Sequence, residues 1–210
     1  MNYLEKKRAE NAGHPRGFWG RKTLRAMNRH HDALTDWGLS FLTVNDGDRI
    51  LDVGCGGGRT VKKLSRATTE TVWGVDLSSA AIEEAFRANR RDIRRDKVII
   101  CKADVADLPF DEETFDVVTA VETIYFWPDL TAGLKEICRV MKGGGRLMLL
   151  TESRGDGEDA EKWAEVAKTA QMERLPSADG TAAALKEAGF VGIVAHVRGD
   201  FLCVTAEKPR

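Results

Sequence analysis

The chain has 210 residues and a formal net charge of −1, and 42% of its residues are hydrophobic and 31% charged. This balance excludes an intrinsically disordered chain, and the near-neutral charge gives no overall attraction to nucleic acid or to an anionic membrane. The length suits one domain with its own core. We expect a single domain over residues 1–210, with an N-terminal arm and helical cap at 1–43 and a core at 45–210.

The first part of the chain is polar. Glycines and a proline interrupt residues 1–20, which predicts an arm. The stretch lacks the apolar run of a signal peptide, and no segment reaches the about 20 apolar residues of a membrane span, so we expect a cytoplasmic protein. From Thr23, a residue suited to a helix N-cap, apolar positions at helical spacing predict a cap helix. These positions are Leu24, Met27, His31, Leu34 and Phe41.

Beyond a turn at 45–48, short apolar strands alternate with amphipathic helices, which indicates βαβ units and a parallel sheet covered on both faces. The predicted strands span 49–53, 71–75, 97–101, 115–121 and 145–150, the last after a turn at 142–144. Ser78 or Ser79 is expected to cap the second core helix. The inward positions of that helix are predicted to be Ile82, Ala85, Phe86, Asn89 and Ile93.

The C-terminal part breaks this alternation. Two helices are predicted at about 158–171 and 179–188. They are followed by strands at 191–197 and 200–206, which flank Arg198-Gly199 and predict a hairpin. The sheet is therefore expected to contain seven strands, mostly parallel, and to finish with one antiparallel strand.

The strongest functional signal is the glycine-rich loop between the first strand and its helix, LDVGCGGG at 51–58. Its glycines allow the backbone to approach a ligand closely and to turn into the helix N-terminus. A dinucleotide fingerprint beginning at Gly54 requires glycine or alanine at position 59. Because Arg59 occupies that position, an NAD-dependent oxidoreductase is disfavoured. The loop, preceded by Asp52, suits a ligand with an amino-acid tail, and Asp52 could also meet a cation.

Acidic residues follow the second and third strands as well. Asp76 lies 22 residues after Gly54, near the about 20 expected for a carboxylate that accepts both ribose hydroxyls; the alternative is an acid at a helix N-terminus. Asp104 can accept a hydrogen bond from the exocyclic amine of adenine, and the Val105 amide can donate to its ring. Asp107 is expected to face solvent or to cap a turn.

Together these segments resemble the class I S-adenosylmethionine-dependent methyltransferases, particularly their small-molecule and ubiquinone-biosynthesis-like group. The matching segments are LDVGCGGGR at 51–59, GVDLS at 74–78, KADVADLPF at 102–110, FDVVTAVETIYFWPDL at 115–130 and RVMKGGGRLMLL at 139–150. The resemblance implies an α/β fold with a Rossmann-like, doubly wound, seven-stranded sheet, and S-adenosylmethionine as cofactor. One departure is Gly143-Gly144, where the family usually has Pro-Gly; this turn is remote from the methyl group.

The resemblance also implies roles for particular residues. It assigns the methionine moiety to the loop glycines, the ribose to Asp76, and the adenine to Asp104 and Val105. The full expected cofactor-binding set is Asp52, Gly54, Cys55, Gly56, Gly58, Asp76, Leu77, Asp104, Val105 and Glu122. Glu122 could hold the cofactor ammonium or stand at the acceptor entrance, and it is the candidate catalytic residue; the structural alternative is a capping or otherwise satisfied carboxylate.

Acceptor-binding candidates come from two parts of the chain. Trp19 could belong to a lid over the site, and His31 is either a core histidine or a pocket residue. At least one ring of the run Tyr125, Phe126 and Trp127 is expected to border the acceptor, and our candidates are Tyr125 and Trp127.

The cysteines and the charge runs carry less information. The four cysteines are scattered, without a CxxC pair or a histidine cluster, so we expect neither a metal site nor a disulfide framework. Cys55 is either an exposed thiol or, as we favour, a small residue that fits the loop. Basic runs at 5–29 and 87–97 are interpreted as an arm and a solvated helix end, because no aromatic platform for nucleic acid accompanies them.

The expected reaction follows from the cofactor. Its methyl group is bound to a sulfonium, so the protein must hold a nucleophile in line at about 3 Å and exclude water. We therefore expect methyl transfer to a small-molecule acceptor by in-line displacement, with S-adenosylhomocysteine as product. The alternatives are a cofactor-binding regulatory module without turnover and a methyltransferase acting on tRNA or other nucleic acid.

Overall fold

The computed structural model describes Gly20, Leu24 and residues 31–210. The helices of this part are α1 (Asp32–Leu39), α2 (Arg59–Leu64), α3 (Ser79–Ile93), α4 (Leu130–Val140), α5 (Ala160–Ala170) and α6 (Ala178–Glu187), with a 3₁₀ helix at Ile124–Phe126. The strands are β1 (Ile50–Val53), β2 (Val72–Asp76), β3 (Val98–Lys102), β4 (Phe115–Val121), β5 (Met141–Thr151), β6 (Val191–Arg198) and β7 (Phe201–Glu207).

The strands form one seven-stranded sheet in the order β3-β2-β1-β4-β5-β7-β6. Strands β1 to β5 pair in parallel, whereas β7 is antiparallel to both β5 and β6. The predicted α/β class and the terminal hairpin are thus confirmed. The chain goes from β1 to β2 and β3 on one side, then crosses to β4 on the other side of β1. Such a reversal leaves a crevice at the carboxyl ends of the strands, here those of β1 and β4.

Helices cover both faces of the sheet, and the side chains of the central strands alternate between two apolar clusters. Leu51 and Val118 pack with residues of α4 and α6, such as Leu134 and Leu185. The neighbouring Ile50 belongs to the other cluster, which includes side chains of α1, α2 and α3. The continuous apolar strands in the sequence therefore reflect burial on both faces, which holds the strand ends rigidly.

Helix α3 begins as predicted but differs on its buried face. Ser78 is the N-cap, and its hydroxyl accepts a hydrogen bond from the Ala81 amide. Asn89 is buried as expected, because its Nδ2 donates to the carbonyls of Gly58 and Ala85. The inward assignment of Phe86 was wrong: this side chain is 44% exposed. Apolar character at helical spacing does not distinguish a wide buried face from a narrow one.

The cap helix is shorter at its C-terminal end than the apolar spacing predicted. Helix α1 ends at Leu39, and Phe41 lies beyond it, exposed and stacked on the ring of His196. Among the described positions of the predicted face, Leu24, which is helical, and Leu34 are buried. Thr23 and Met27 lie outside the described residues.

Strand β5 begins earlier than predicted. The glycines at 143 and 144, expected to form a turn with Lys142, lie within the strand. The pairing with β4 jumps from Phe115–Met141 to Val117–Arg146, and Gly144 has a φ of +77°. The glycines therefore form a bulge that interrupts the ladder without ending it. No helix of the described residues has the length and apolar character needed to cross a membrane.

Candidate functional site

A cavity of about 230 Å³ lies at the carboxyl ends of β1, β2, β3 and β4. Most of the residues that the sequence suggested for a site lie on its wall. They are His31, Gly54, Cys55, Gly56, Asp76, Leu77, Asp104, Val105, Glu122 and Trp127. Asp52, Gly58 and Tyr125 are not on this wall, and Trp19 lies outside the described residues.

The glycine-rich loop uses its glycines for two different purposes. Gly54, on the cavity wall, has a φ of +69°, and a Cβ there would collide with the side chain of Thr123. Gly58 is the N-cap of α2 with a φ of +73°, and a Cβ would lie 2.5 Å from Nδ2 of Asn89 and 2.9 Å from Cα of Ala85. Gly54 therefore allows close approach next to the cavity, whereas Gly58 allows α2 and α3 to pack.

Asp76 connects the glycine loop to the start of α3. Its Oδ2 accepts a hydrogen bond from the Gly56 amide at 2.9 Å, and its Oδ1 accepts one from the Ser78 amide at 2.8 Å. Two backbone donors thus hold the carboxylate on the cavity wall, and hydrogen bonds of this charge-assisted kind are among the stronger ones in proteins.

Two residues of the loop region are buried against the core. Asp52 is 1% exposed, and its Oδ1 accepts a 2.6 Å hydrogen bond from the Thr119 hydroxyl. Burial raises the pKa of Asp52 to about 7, against the effect of that hydrogen bond. Cys55 is buried as well, and burial raises the pKa of its thiol well above the usual value. An exposed, reactive Cys55 thiol is therefore excluded, and the small-residue interpretation is the correct one.

The turn after β3 contributes Asp104 and Val105 to the cavity wall. Asp104 orders the turn itself: its Oδ1 accepts from the Ala106 amide at 3.0 Å, and its carbonyl accepts from the Asp107 amide at 3.1 Å. Asp107 is exposed, as predicted. These bonds hold an acidic side chain and a neighbouring backbone amide side by side, next to Asp76 at the end of β2.

Glu122 lies directly after β4, and its geometry is unusual. It is 7% exposed and has a φ of +58°, a conformation that is uncommon for a residue with a side chain. Its Oε1 accepts a short hydrogen bond from the Glu152 amide, and its Oε2 accepts one from the Tyr125 hydroxyl at 2.8 Å. Tyr125 is therefore a support behind the wall, whereas Glu122 itself lines the cavity.

His31, at the start of α1, approaches this carboxylate from the cap. Its Nε2 lies 3.7 Å from Oε2 of Glu122 and 3.4 Å from Oε1 of Glu152. Burial lowers the pKa of His31, but the hydrogen bond with Glu152 and the two carboxylate charges raise it more, so the pKa is above its usual value. Burial raises the pKa of Glu122, and the charge of Glu152 adds to this effect. His31 is thus a cavity residue and not a core histidine.

The structure also adds residues that the sequence had not suggested. Glu152 follows the buried strand β5, and the rule that parallel strand ends share one edge could have indicated it. Thr123 lines the cavity beside Trp127, whose Nε1 donates to the Thr123 hydroxyl at 3.3 Å. Phe126, from the aromatic run already named in the sequence, is a second ring on this wall. Glu173 reaches the wall from the segment after α5, and no local sequence signal points to it.

Arg59 occupies the position at which a dinucleotide-binding fingerprint has its third glycine. Its side chain connects the glycine-rich loop to helix α1. Its Nε and Nη2 donate to the two carboxylate oxygens of Asp32 at 3.0 and 2.9 Å. Lys63 of α2 also contacts Asp32, with its Nζ 2.8 Å from Oδ1. These ion pairs, partly exposed, orient α1 over the cavity and thereby place His31 on its wall.

Comparison with known proteins agrees with this geometry. Residues 51–149 match the family described as methyltransferase domain. The chain is 33% identical over 187 residues to 27-O-demethylrifamycin SV methyltransferase of Amycolatopsis mediterranei, a match that covers 86% of this chain and 66% of the relative. The chain spans about half to two thirds of the length of several curated relatives that it matches.

Solved structures show the same fold at low sequence identity. A methyltransferase of Haloferax volcanii, solved in complex with the activator Trm112, aligns with a TM-score of 0.78 at 19% identity and covers 91% of this chain and 95% of that one. Phosphoethanolamine N-methyltransferase 2 of Haemonchus contortus, solved with S-adenosyl-L-methionine, aligns with a TM-score of 0.79 at 18% identity, covering 93% and 59%. The chain belongs to the class I S-adenosylmethionine-dependent methyltransferases, a family whose cofactor is S-adenosylmethionine.

Proposed function

We propose that this protein transfers the methyl group of S-adenosylmethionine to a small-molecule acceptor bound in the cavity at the strand ends. The observation that carries the proposal is that one cavity brings together the glycine loop, Asp76, Asp104 and Glu122, each from the end of a different parallel strand or its loop. A methyl donor and its acceptor must share such a space, because the reacting atoms must come within about 3 Å of each other.

The cofactor would extend across the wall from Glu122 towards Asp104. We propose that Gly54, Cys55 and Gly56 face the methionine moiety, since Gly54 leaves room for close approach there. Asp76, held by two backbone amides, accepts the ribose hydroxyls beside Leu77. Asp104 and the Val105 amide hold the adenine. Asp52 and Gly58, which do not line the cavity, act through the shape of the loop.

The acceptor would occupy the end of the cavity near α1. His31, Glu122, Phe126 and Trp127 line this end, so the acceptor meets both polar groups and apolar rings. The relative from Amycolatopsis mediterranei is named for the acceptor 27-O-demethylrifamycin SV, which supports a small-molecule acceptor here. Since the donor methyl is already activated, we assign these residues to orientation and to the exclusion of water.

Calorimetric titration tests the cofactor part of this proposal. The protein should bind S-adenosylmethionine and S-adenosylhomocysteine, and NAD should give no heat, because Arg59 occupies the position of the third fingerprint glycine. Tight NAD binding without binding of either adenosyl compound would contradict the proposal.

A turnover assay separates an enzyme from a regulatory module. Release of S-adenosylhomocysteine should be measured with small alcohols, phenols, amines and thiols, and with tRNA as the competing class. Release with a small molecule supports the proposal; release with tRNA alone contradicts it. We also propose that residues 1–210 form one domain and that the protein works in the cytoplasm, which limited proteolysis and cell fractionation would test.

A further inference from the structure

Three side chains that can bind metal meet at the acceptor end of the cavity. His31 comes from the start of α1, Glu122 from the end of β4, and Glu152 from the end of β5. One ligand atom from each lies within 4.8 Å of the other two. The sequence did not indicate this cluster, because its members are far apart along the chain and form no motif.

The spacing of these atoms is close to what a metal ion requires. Bonds of about 2.1 Å place neighbouring ligand atoms about 3.0–3.5 Å apart in tetrahedral or octahedral geometry. His31 Nε2 already lies 3.4 Å from Oε1 of Glu152 and 3.7 Å from Oε2 of Glu122. The two carboxylate oxygens lie within 4.8 Å of each other, so an approach of about 1 Å would bring all three atoms into bonding distance of one ion.

The carboxylate at the centre of the cluster is oriented by neighbours outside it. The Tyr125 hydroxyl donates to Oε2 of Glu122, the same oxygen that faces His31, and the Glu152 amide donates to Oε1. Hydrogen bonds of this kind orient the ligands of metal sites in proteins. The backbone of Glu122 is also held at a φ of +58°, which directs its side chain from the end of β4 towards the cavity.

We propose that His31, Glu122 and Glu152 bind one divalent transition-metal ion, whose remaining ligand positions face the cavity and take a hydroxyl group of the acceptor. One imidazole with two carboxylates suits ions such as Mn²⁺, Fe²⁺ or Zn²⁺ better than a sulfur-preferring metal. The metal site is inferred from the three side chains alone. The binding of an acceptor hydroxyl to the ion rests in addition on the proposed function. An ion there would orient that hydroxyl and favour loss of its proton to solvent as oxygen displaces the sulfonium sulfur from the methyl carbon.

Mn²⁺ is a direct probe of this site and requires no knowledge of the acceptor. The full chain, stripped with a chelator, should be titrated with MnCl₂ while electron paramagnetic resonance reports the free ion. We expect one Mn²⁺ per chain, and binding weaker by about tenfold or more in Glu152→Gln and in His31→Gln. Glu165→Gln is the matched control, since Glu165 is an exposed glutamate paired with Lys168, away from the cavity.

The outcomes distinguish this inference from the proposed function. Circular dichroism and S-adenosylhomocysteine titration, both without metal, establish that each variant is folded. The metal site would be overturned if the wild type and all three variants bound Mn²⁺ equally, or if the wild type bound no more Mn²⁺ than an unrelated control protein. Binding of S-adenosylhomocysteine without binding of Mn²⁺ would overturn the metal site and leave the proposed function standing. Binding of Mn²⁺ without binding of S-adenosylhomocysteine would support the metal site and contradict the proposed function.

Discussion

The two ends of the cavity are built differently. At the end formed by the glycine loop, Asp76 and Asp104, each functional group is held by hydrogen bonds to amides within its own loop or the next one. At the other end, His31, Glu122 and Glu152 come from three separate parts of the chain. The His31 side chain contacts both carboxylates, and the Glu152 backbone amide donates to the Glu122 side chain. The first end depends on local backbone geometry, the second on how α1 and the sheet pack.

This difference has a functional counterpart in the family to which the chain belongs. The cofactor is the same throughout the family, and short sequence motifs are sufficient to form its site. The acceptor differs from member to member, and its site is formed by side chains from separate elements. We therefore expect substitutions at the first end to change cofactor affinity, and substitutions at the second end to leave it nearly unchanged.

The largest effect is expected for Asp76→Ala. Two charge-assisted hydrogen bonds to the cofactor ribose are proposed for this carboxylate, each worth about 1.5–3 kcal/mol. The amides of Gly56 and Ser78 also lose their acceptor. S-adenosylhomocysteine affinity, measured by calorimetry, should fall at least about 100-fold while circular dichroism stays unchanged. Wild-type affinity in the variant would show that Asp76 only caps α3.

The second prediction concerns Asp52 behind the glycine loop. Its pKa in the folded protein is raised to about 7, so between about pH 4 and pH 7 the folded state binds more protons than the unfolded state. The stabilising contribution of protonated Asp52 is therefore complete below pH 4 and is lost as the pH rises through 7. Between pH 5 and pH 8 this contribution amounts to about 2–3 kcal/mol.

Asp52→Asn removes the titration while its side-chain oxygen can still accept from the Thr119 hydroxyl. Urea unfolding at pH 5 and pH 8 measures the effect. From pH 5 to pH 8 the free energy of unfolding should fall less in the variant than in the wild type, and the difference should be about 2–3 kcal/mol. Identical pH dependence in the two proteins would show that the carboxylate is ionised even when buried.

The two ends of the cavity also differ in how much of each could be predicted from the sequence. The succession of strands and helices, the glycine loop and Asp76 follow from patterns that lie within about 25 neighbouring residues. Glu152 reaches the site through the pairing of β5 with β4, and the Tyr125 hydroxyl reaches Glu122 through the 3₁₀ helix that follows β4. Hydrophobic periodicity encodes neither contact. Phe86 shows the same limit, because an apolar side chain at a helical position can face solvent when no element covers it.

The third prediction tests whether Gly54 is needed for the cofactor to approach the backbone of the glycine-rich loop. In Gly54→Ala the new Cβ would collide with the side chain of Thr123, and the φ of +69° is unfavourable for alanine. Backbone strain of this kind costs about 1–3 kcal/mol. The loop relieves it by shifting from its position on the cavity wall, so S-adenosylhomocysteine affinity should fall about 10- to 100-fold by calorimetry. Gly47→Ala is the matched control, because nothing lies within 4 Å of a Cβ there. Equal losses in both variants would show that the loss is not specific to the close approach at Gly54.

The smallest effect on cofactor binding is expected for Tyr125→Phe, which removes only the hydroxyl that donates to Oε2 of Glu122 at 2.8 Å. The buried carboxylate then loses a donor, which should lower the free energy of unfolding by about 1–2 kcal/mol in urea titration. Tyr125 does not line the cavity and Glu122 keeps its bond from the Glu152 amide, so S-adenosylhomocysteine affinity should stay within about twofold, well under the 1.4 kcal/mol that a tenfold change represents. A loss of affinity as large as that of Gly54→Ala would show that the two ends of the cavity are one coupled unit, and the distinction between a local cofactor end and an assembled acceptor end would fail.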